Sequence, residues 1–153
     1  MDQAFSGGAT LTRRGGLLLV AALGATGCVD LRANDPGLTI WETQLAAELA
    51  YPDFSGEAAA LSDRSGTVIG IAIRGATTGA HHVWGLRLND CAAPGQQVGS
   101  DVDYPELVVS AGDTASVETI LGARLVGGGA YHVAVRVSAS DTSRVACGDL
   151  VAR

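Results

Sequence analysis

The sequence predicts an all-β domain, a sandwich or barrel of about seven or eight short strands. Three observations point there. From residue 38 onward, short β-prone runs recur with Gly, Pro, Asp and Ser turns between them. Glycine is abundant at 21 residues and aromatics make up only 5%, so many tight turns and small packed side chains are expected. The chain of 153 residues is 47% hydrophobic and 17% charged, which suits one domain with a real core and not a disordered chain.

The elements follow in order. Residues 40–49, IWETQLAAEL, are good helix formers, yet Trp41, Thr43, Leu45, Ala47 and Leu49 fall at alternating positions, and an opening strand is expected. GEAAALS (56–62) reads as the next strand. TVIGIAIRG (67–75) sets Thr67, Ile69, Ile71 and Ile73 against Val68, Gly70, Ala72 and Arg74, and the turn ATTG follows. HHVWGLRL (81–88) places His82, Trp84, Leu86 and Leu88 on one face and His81, Val83, Gly85 and Arg87 on the other. AAPG breaks the chain at 92–95. PELVVSA, TASVETIL and YHVAVRVS come next, with GDT and VGGGA as turns, and RVACGDLVA closes the domain.

Ahead of the domain, residues 10–28 read TLTRRGGLLLVAALGATGC. Arg13 and Arg14 precede a run that is apolar apart from Thr26. It is too short for a helix across roughly 30 Å of hydrocarbon, which needs about 20 residues, and fits the apolar core of an export signal. The ending Ala-Thr-Gly-Cys resembles a bacterial lipobox, with Cys28 as the residue that receives lipid and becomes the new N-terminus. Ala25 stands where an aliphatic residue is usual. The paired arginines fit either a twin-arginine or a general secretory signal. The expected organisation is a lipoprotein signal at 1–28, a polar tether at 29–37 ending in Pro-Gly, and a β domain at 38–153. Such a protein is held at the cell envelope through its lipid anchor.

With Cys28 assigned to lipid, Cys91 and Cys147 remain, and export to an oxidising compartment makes a disulfide between them the default. The alternative, two free thiols on a metal, lacks Cys-x-x-Cys spacing. The net charge of −6, with no lysine in the chain, argues against nucleic acid or anionic lipid surfaces as electrostatic partners and excludes a P-loop. There is no Gly-x-Ser-x-Gly, GGGAYH reads as a turn, and spacing forces no carboxylate pair together.

HHVWGLRLNDC (81–91) and RVACGDL (144–150) resemble two stretches of the copper–zinc superoxide dismutases: the His-rich strand that runs on to a cysteine, and the closing Arg-x-Ala-Cys-Gly. The likeness extends from about residue 40 to the C-terminus. It implies an eight-stranded Greek-key β-barrel with Cys91 bonded to Cys147. It also equates Gly85, Arg87 and Arg136 with copper-ligand positions, His82 with a structural histidine, and Arg144 with the arginine that guides the superoxide anion. Neither Gly nor Arg ligates copper here, and the segment from Cys91 to Asp113 holds no histidine for a zinc loop.

The residue inventory agrees. A copper site of this kind needs three or four imidazoles, and the chain has only His81, His82 and His132. Adjacent strand residues face opposite ways, so at most two could meet; a two-His zinc site with Asp90 or Asp103 is the metal-binding alternative. The plainer expectation is that His132 and one of the pair hydrogen-bond strand backbone, and that Arg87 and Arg136 pair with a buried carboxylate. No copper or zinc is expected. The leading expectation is a non-catalytic structural or binding module; a divergent dismutase or other metal-binding redox protein is the second. A third is a small-anion module using Arg87, Arg136, Arg144 and His132 as its pocket.

Overall fold

In a computed structural model of the chain, the described residues are 37–153. The expected signal with Cys28, and all of the expected tether but residue 37, lie outside them. The described residues form nine strands: β1 (Thr39–Ala47), β2 (Ser55–Ser62), β3 (Thr67–Arg74), β4 (His81–Leu88), β5 (Leu107–Val108), β6 (Thr114–Leu121), β7 (Tyr131–Arg136), β8 (Arg144–Asp149) and β9 (Val151–Ala152). One 3-10 turn spans Asp101–Asp103.

The strands are antiparallel and run in the order β5-β4-β7-β8-β1-β2-β3-β6, with β9 added beside β1. Past β5 the chain bridges Ser110 to Thr114 at the start of β6, so the two ends of the order meet in a nearly closed, eight-stranded barrel. The connection from β3 to β4 leaves the meander β1-β2-β3, and β6 returns beside β3. This is a Greek-key path.

Period-two alternation builds the interior. In β3, Thr67, Ile69, Ile71 and Ile73 are buried. In β4, His82, Trp84 and Leu86 face inward. The opening segment is a strand despite its helix-forming residues, because a strand buries Trp41 and Leu45 together, with Trp41 edge-on to Tyr131 at 5.2 Å. Burial overrides propensity here.

Three details differ from the sequence expectation. Leu88 is exposed, because β4 ends there and Asn89 turns the chain with φ of 64°. Leu49 lies beyond the end of β1 and is fully exposed. Of PELVVSA only Leu107–Val108 forms a strand.

A polar lock holds one end of the barrel. The buried Ser62 hydroxyl accepts the Leu125 N–H at 2.9 Å, and Thr67 Oγ1 donates to the Ala123 carbonyl at 2.8 Å. Together they tie the loop after β6 to the β2–β3 hairpin. Buried backbone groups in that loop are thereby satisfied without a helix or sheet partner.

Candidate functional site

The site lies on the outer face of β4 and β7, which pair so that Arg87 stands opposite His132, Gly85 opposite Ala134 and Val83 opposite Arg136. Alternation sends these residues away from the core. The positions that the resemblance equates with copper ligands are thus neighbours on one outward surface.

A disulfide-anchored loop covers part of that surface. After Asn89, the Asp90 carboxylate accepts the N–H groups of Ala92 and Ala93, which tightens the turn. Cys91 then bonds Cys147 on β8, with a Cα–Cα distance of 6.0 Å. The loop therefore crosses over β7. Asp149 Oδ1 accepts the Cys91 N–H at 2.7 Å, and Arg144 Nη1 donates to the Cys91 carbonyl at 2.6 Å. The chain returns along the open edge of β4, with Val98 N–H bonded to the Leu86 carbonyl and Gly95 N–H to that of Leu88.

This roof explains His132. It sits on the outer face yet is 0% exposed. Its Nδ1 lies 2.9 Å from the Asn89 carbonyl, which can only accept, so Nδ1 carries the proton. Its Nε2 is buried with no hydrogen-bond partner among the described residues. Leaving a buried acceptor unpaired costs about 1–3 kcal/mol. His82 behaves similarly on the inner face: Nδ1 is 3.2 Å from the Arg136 carbonyl and the ring meets Phe54 edge-on. His81 points outward to Glu106 at 2.9 Å. The two adjacent histidines do face opposite ways, and the two buried ones do hydrogen-bond backbone.

Gly85 leaves room that Gln97 fills. A Cβ on Gly85 would meet Gln97 Oε1 at 2.9 Å, and Gln97 in turn donates to Asp101 at 2.8 Å. A larger residue at 85 needs that side chain to move.

Arg87, Arg136, Arg144 and His132 all line one open groove of about 530 Å³, with Glu48, Leu49, Ala50 and Pro94 on its walls. A narrower pocket of about 160 Å³ adjoins it; it shares Arg87 and Arg136 and is bounded by Gly85, Gln97, Asp101 and Tyr104. The tyrosine is held edge-on to Trp84 and donates its hydroxyl to the Val98 carbonyl. Burial pushes its phenol up to about 12.

The arginines are not equivalent. Arg144 is paired with Glu48 at 2.5 Å in addition to its bond to Cys91. Arg87 donates Nε to the Gly95 carbonyl at 3.1 Å. The expectation that Arg87 and Arg136 pair with a buried carboxylate does not hold: neither makes an ion pair among the described residues. The nearby carboxylates are otherwise committed, Glu48 to Arg144, Asp101 to Gln97 and Asp149 to the Cys91 amide. The groove walls hold three arginines and one carboxylate, an excess of two positive charges on a chain of net charge −6.

Among the described residues no group of three His, Cys, Asp or Glu side chains converges as a metal site. Asp90 is bound to its own turn and Asp103 to Ser100. Glu48, Asn89 and Gln97 belong to the site and had no sequence signal: Glu48 and Asn89 act through contacts distant along the chain, and Gln97 meets Gly85 only through the path of the returning loop. No protein-family model matches this chain, and no curated protein does.

Proposed function

We propose that this protein is a lipid-anchored envelope lipoprotein whose exported domain is a degenerate relative of the copper–zinc superoxide dismutases, working as a non-catalytic module that binds a small anion. The supporting observation is the groove: at the positions equated with copper ligands, Arg87 and Arg136 present guanidinium groups free of carboxylates beside His132. Arginine keeps its charge at all accessible pH values and offers planar donors suited to carboxylate or phosphate. A dication at that place would be repelled by the same two charges.

Lipidation at Cys28 is supported by the small residues before it and the apolar run bounded by Arg13 and Arg14. The lipid is the expected membrane partner, and nucleic acid is not a partner.

Thermal unfolding in the presence of short carboxylates and phosphate tests the binding reading. A ligand at a hundredfold excess over its Kd stabilises the folded state by about 2.7 kcal/mol. The midpoint is expected to rise with at least one of these anions and to lose that rise in Arg87→Gln and Arg136→Gln. A midpoint indifferent to every anion contradicts the reading.

A further inference from the structure

We infer that the end of the barrel at which the chain enters β1 rests on the lipid surface that holds the anchor, with Leu61, Ile120 and Val126 in its headgroup layer. This rests on the reading that Cys28 carries lipid, and names the face of the domain that meets the membrane.

Strand register gathers apolar side chains at that end. Ile40, Leu61, Val68 and Ile120 stand opposite one another in one row across β1, β2, β3 and β6, on the outer face of the sheet. Leu61 is 37% and Ile120 74% exposed. Val126, 63% exposed, follows Leu125 in the loop that Ser62 locks over the same end. Exposed apolar side chains grouped in this way mark an interaction surface.

The charges nearby select the occupant. Beyond the row, the outer face carries Glu42, Glu57 and Glu118, of which only Glu42 has an ion pair among the described residues, with Arg153. A second copy packed over this face would bury the other two carboxylates, and so would an insertion deeper than the row. A shallow contact at the rim leaves them in water. Arg64 in the β2–β3 turn and Arg124 in the loop after β6 are exposed at the same end, and guanidinium groups suit headgroup phosphate. A zwitterionic lipid offers that phosphate without a net charge to repel a chain of net charge −6.

Chain length points the same way. The ten residues from Val29 to Leu38 reach at most about 35 Å when fully extended. β1, with nine residues, is about 30 Å long. To set the far end of β1 on the bilayer, the tether would have to run back along the whole strand and use nearly all its reach. The near end needs none of it. With the anchor so close, even a small patch meets the surface at an effective concentration on the order of millimolar. Glu48 and Arg144 stand at the far end, where β1 leaves off and β8 begins, so that part of the arginine groove faces away from the bilayer.

Tryptophan quenching tests this on the acylated protein, purified from membranes and placed in phosphatidylcholine vesicles with or without bromine on the lipid chains. Val126→Trp puts a probe at the near end and Val108→Trp one at the exposed start of the β4–β5 pair, at the opposite end. Trp41 and Trp84 are buried and give both variants the same background. Brominated lipid is expected to remove most of the added emission at 126 and to leave that at 108. Adding Leu61→Ser and Ile120→Ser should restore the emission at 126 while the protein still floats with the vesicles. Equal quenching at the two positions, or none at either in protein that carries acyl mass, overturns this inference and leaves the anchor reading standing. A blue-shifted probe at 126 that bromine does not quench, and that diluting the protein in the vesicles reverses, assigns the patch to a second copy and overturns it too. Protein without acyl mass that does not float overturns both.

Discussion

At Arg144 one side chain joins three elements: it pairs with Glu48 beyond β1, sits at the start of β8 and holds the Cys91 carbonyl of the loop. The ion pair is partly exposed, so screening limits its worth and the bond to Cys91 adds to it. Arg144→Ala is expected to lower stability by about 1–2 kcal/mol, measurable by urea unfolding. Tyr104 supplies a pH signature. Its folded phenol ionises near 12, above the ordinary 10.0, because burial disfavours the phenolate. The folded state therefore keeps a proton that the unfolded chain loses, so stability is intact below pH 10 and falls as pH rises toward 12. Thermal midpoints across that window should show a slope that Tyr104→Phe flattens. Residue roles such as that of Gln97 under Gly85 were not legible in the sequence, since the two meet only when the returning loop lies along β4.

The elements were more legible. Alternation in 67–75 and 81–88 assigned the faces of β3 and β4 correctly up to Leu88, where the turn at Asn89 ends the pattern. The ambiguous opening segment is resolved by packing of Trp41 on Tyr131, a contact far along the chain that no local propensity encodes. The disulfide was legible from cysteine arithmetic, but its consequence was not: by carrying the loop across β7 it buries an outward-facing histidine. The bridged cysteines are 56 residues apart, and removing the link should cost about 4 kcal/mol by the chain-entropy argument. The double variant Cys91→Ala, Cys147→Ala should show that loss in chemical unfolding, and its amides at Cys91 and Val98 should exchange faster with solvent. Unchanged exchange there would mean that hydrogen bonds alone hold the roof. At the other end of the barrel, Ser62→Ala leaves the Leu125 N–H without its acceptor and should destabilise the protein by about 1–3 kcal/mol.

For the whole molecule, the all-β class follows from composition and turn spacing; the expected seven or eight strands are nine among the described residues, because the closing segment breaks at Leu150 into β8 and β9, and closure of the barrel follows from β6 meeting the end of β5. The groove was legible only as a set of residue types, Arg87, Arg136, Arg144 and His132; their convergence depends on the register of β4 with β7 and of β7 with β8. Register is not written locally: β4 and β7 lie dozens of residues apart, and the pairing of β7 with β8 shifts at Val135/Arg136. The proposed anchor is tested by Cys28→Ala, which should leave the precursor unprocessed or release the protein from membranes; a mature protein that starts elsewhere and carries no acyl mass would contradict it. The proposal that arginine charge stands at this face of the barrel where the resemblance would put copper is tested most directly by elemental analysis with a dismutation assay on protein purified from its own host. The account predicts no stoichiometric copper or zinc and no dismutation beyond that of metal in the buffer. One copper per chain, with dismutation abolished by His132→Ala, would contradict it.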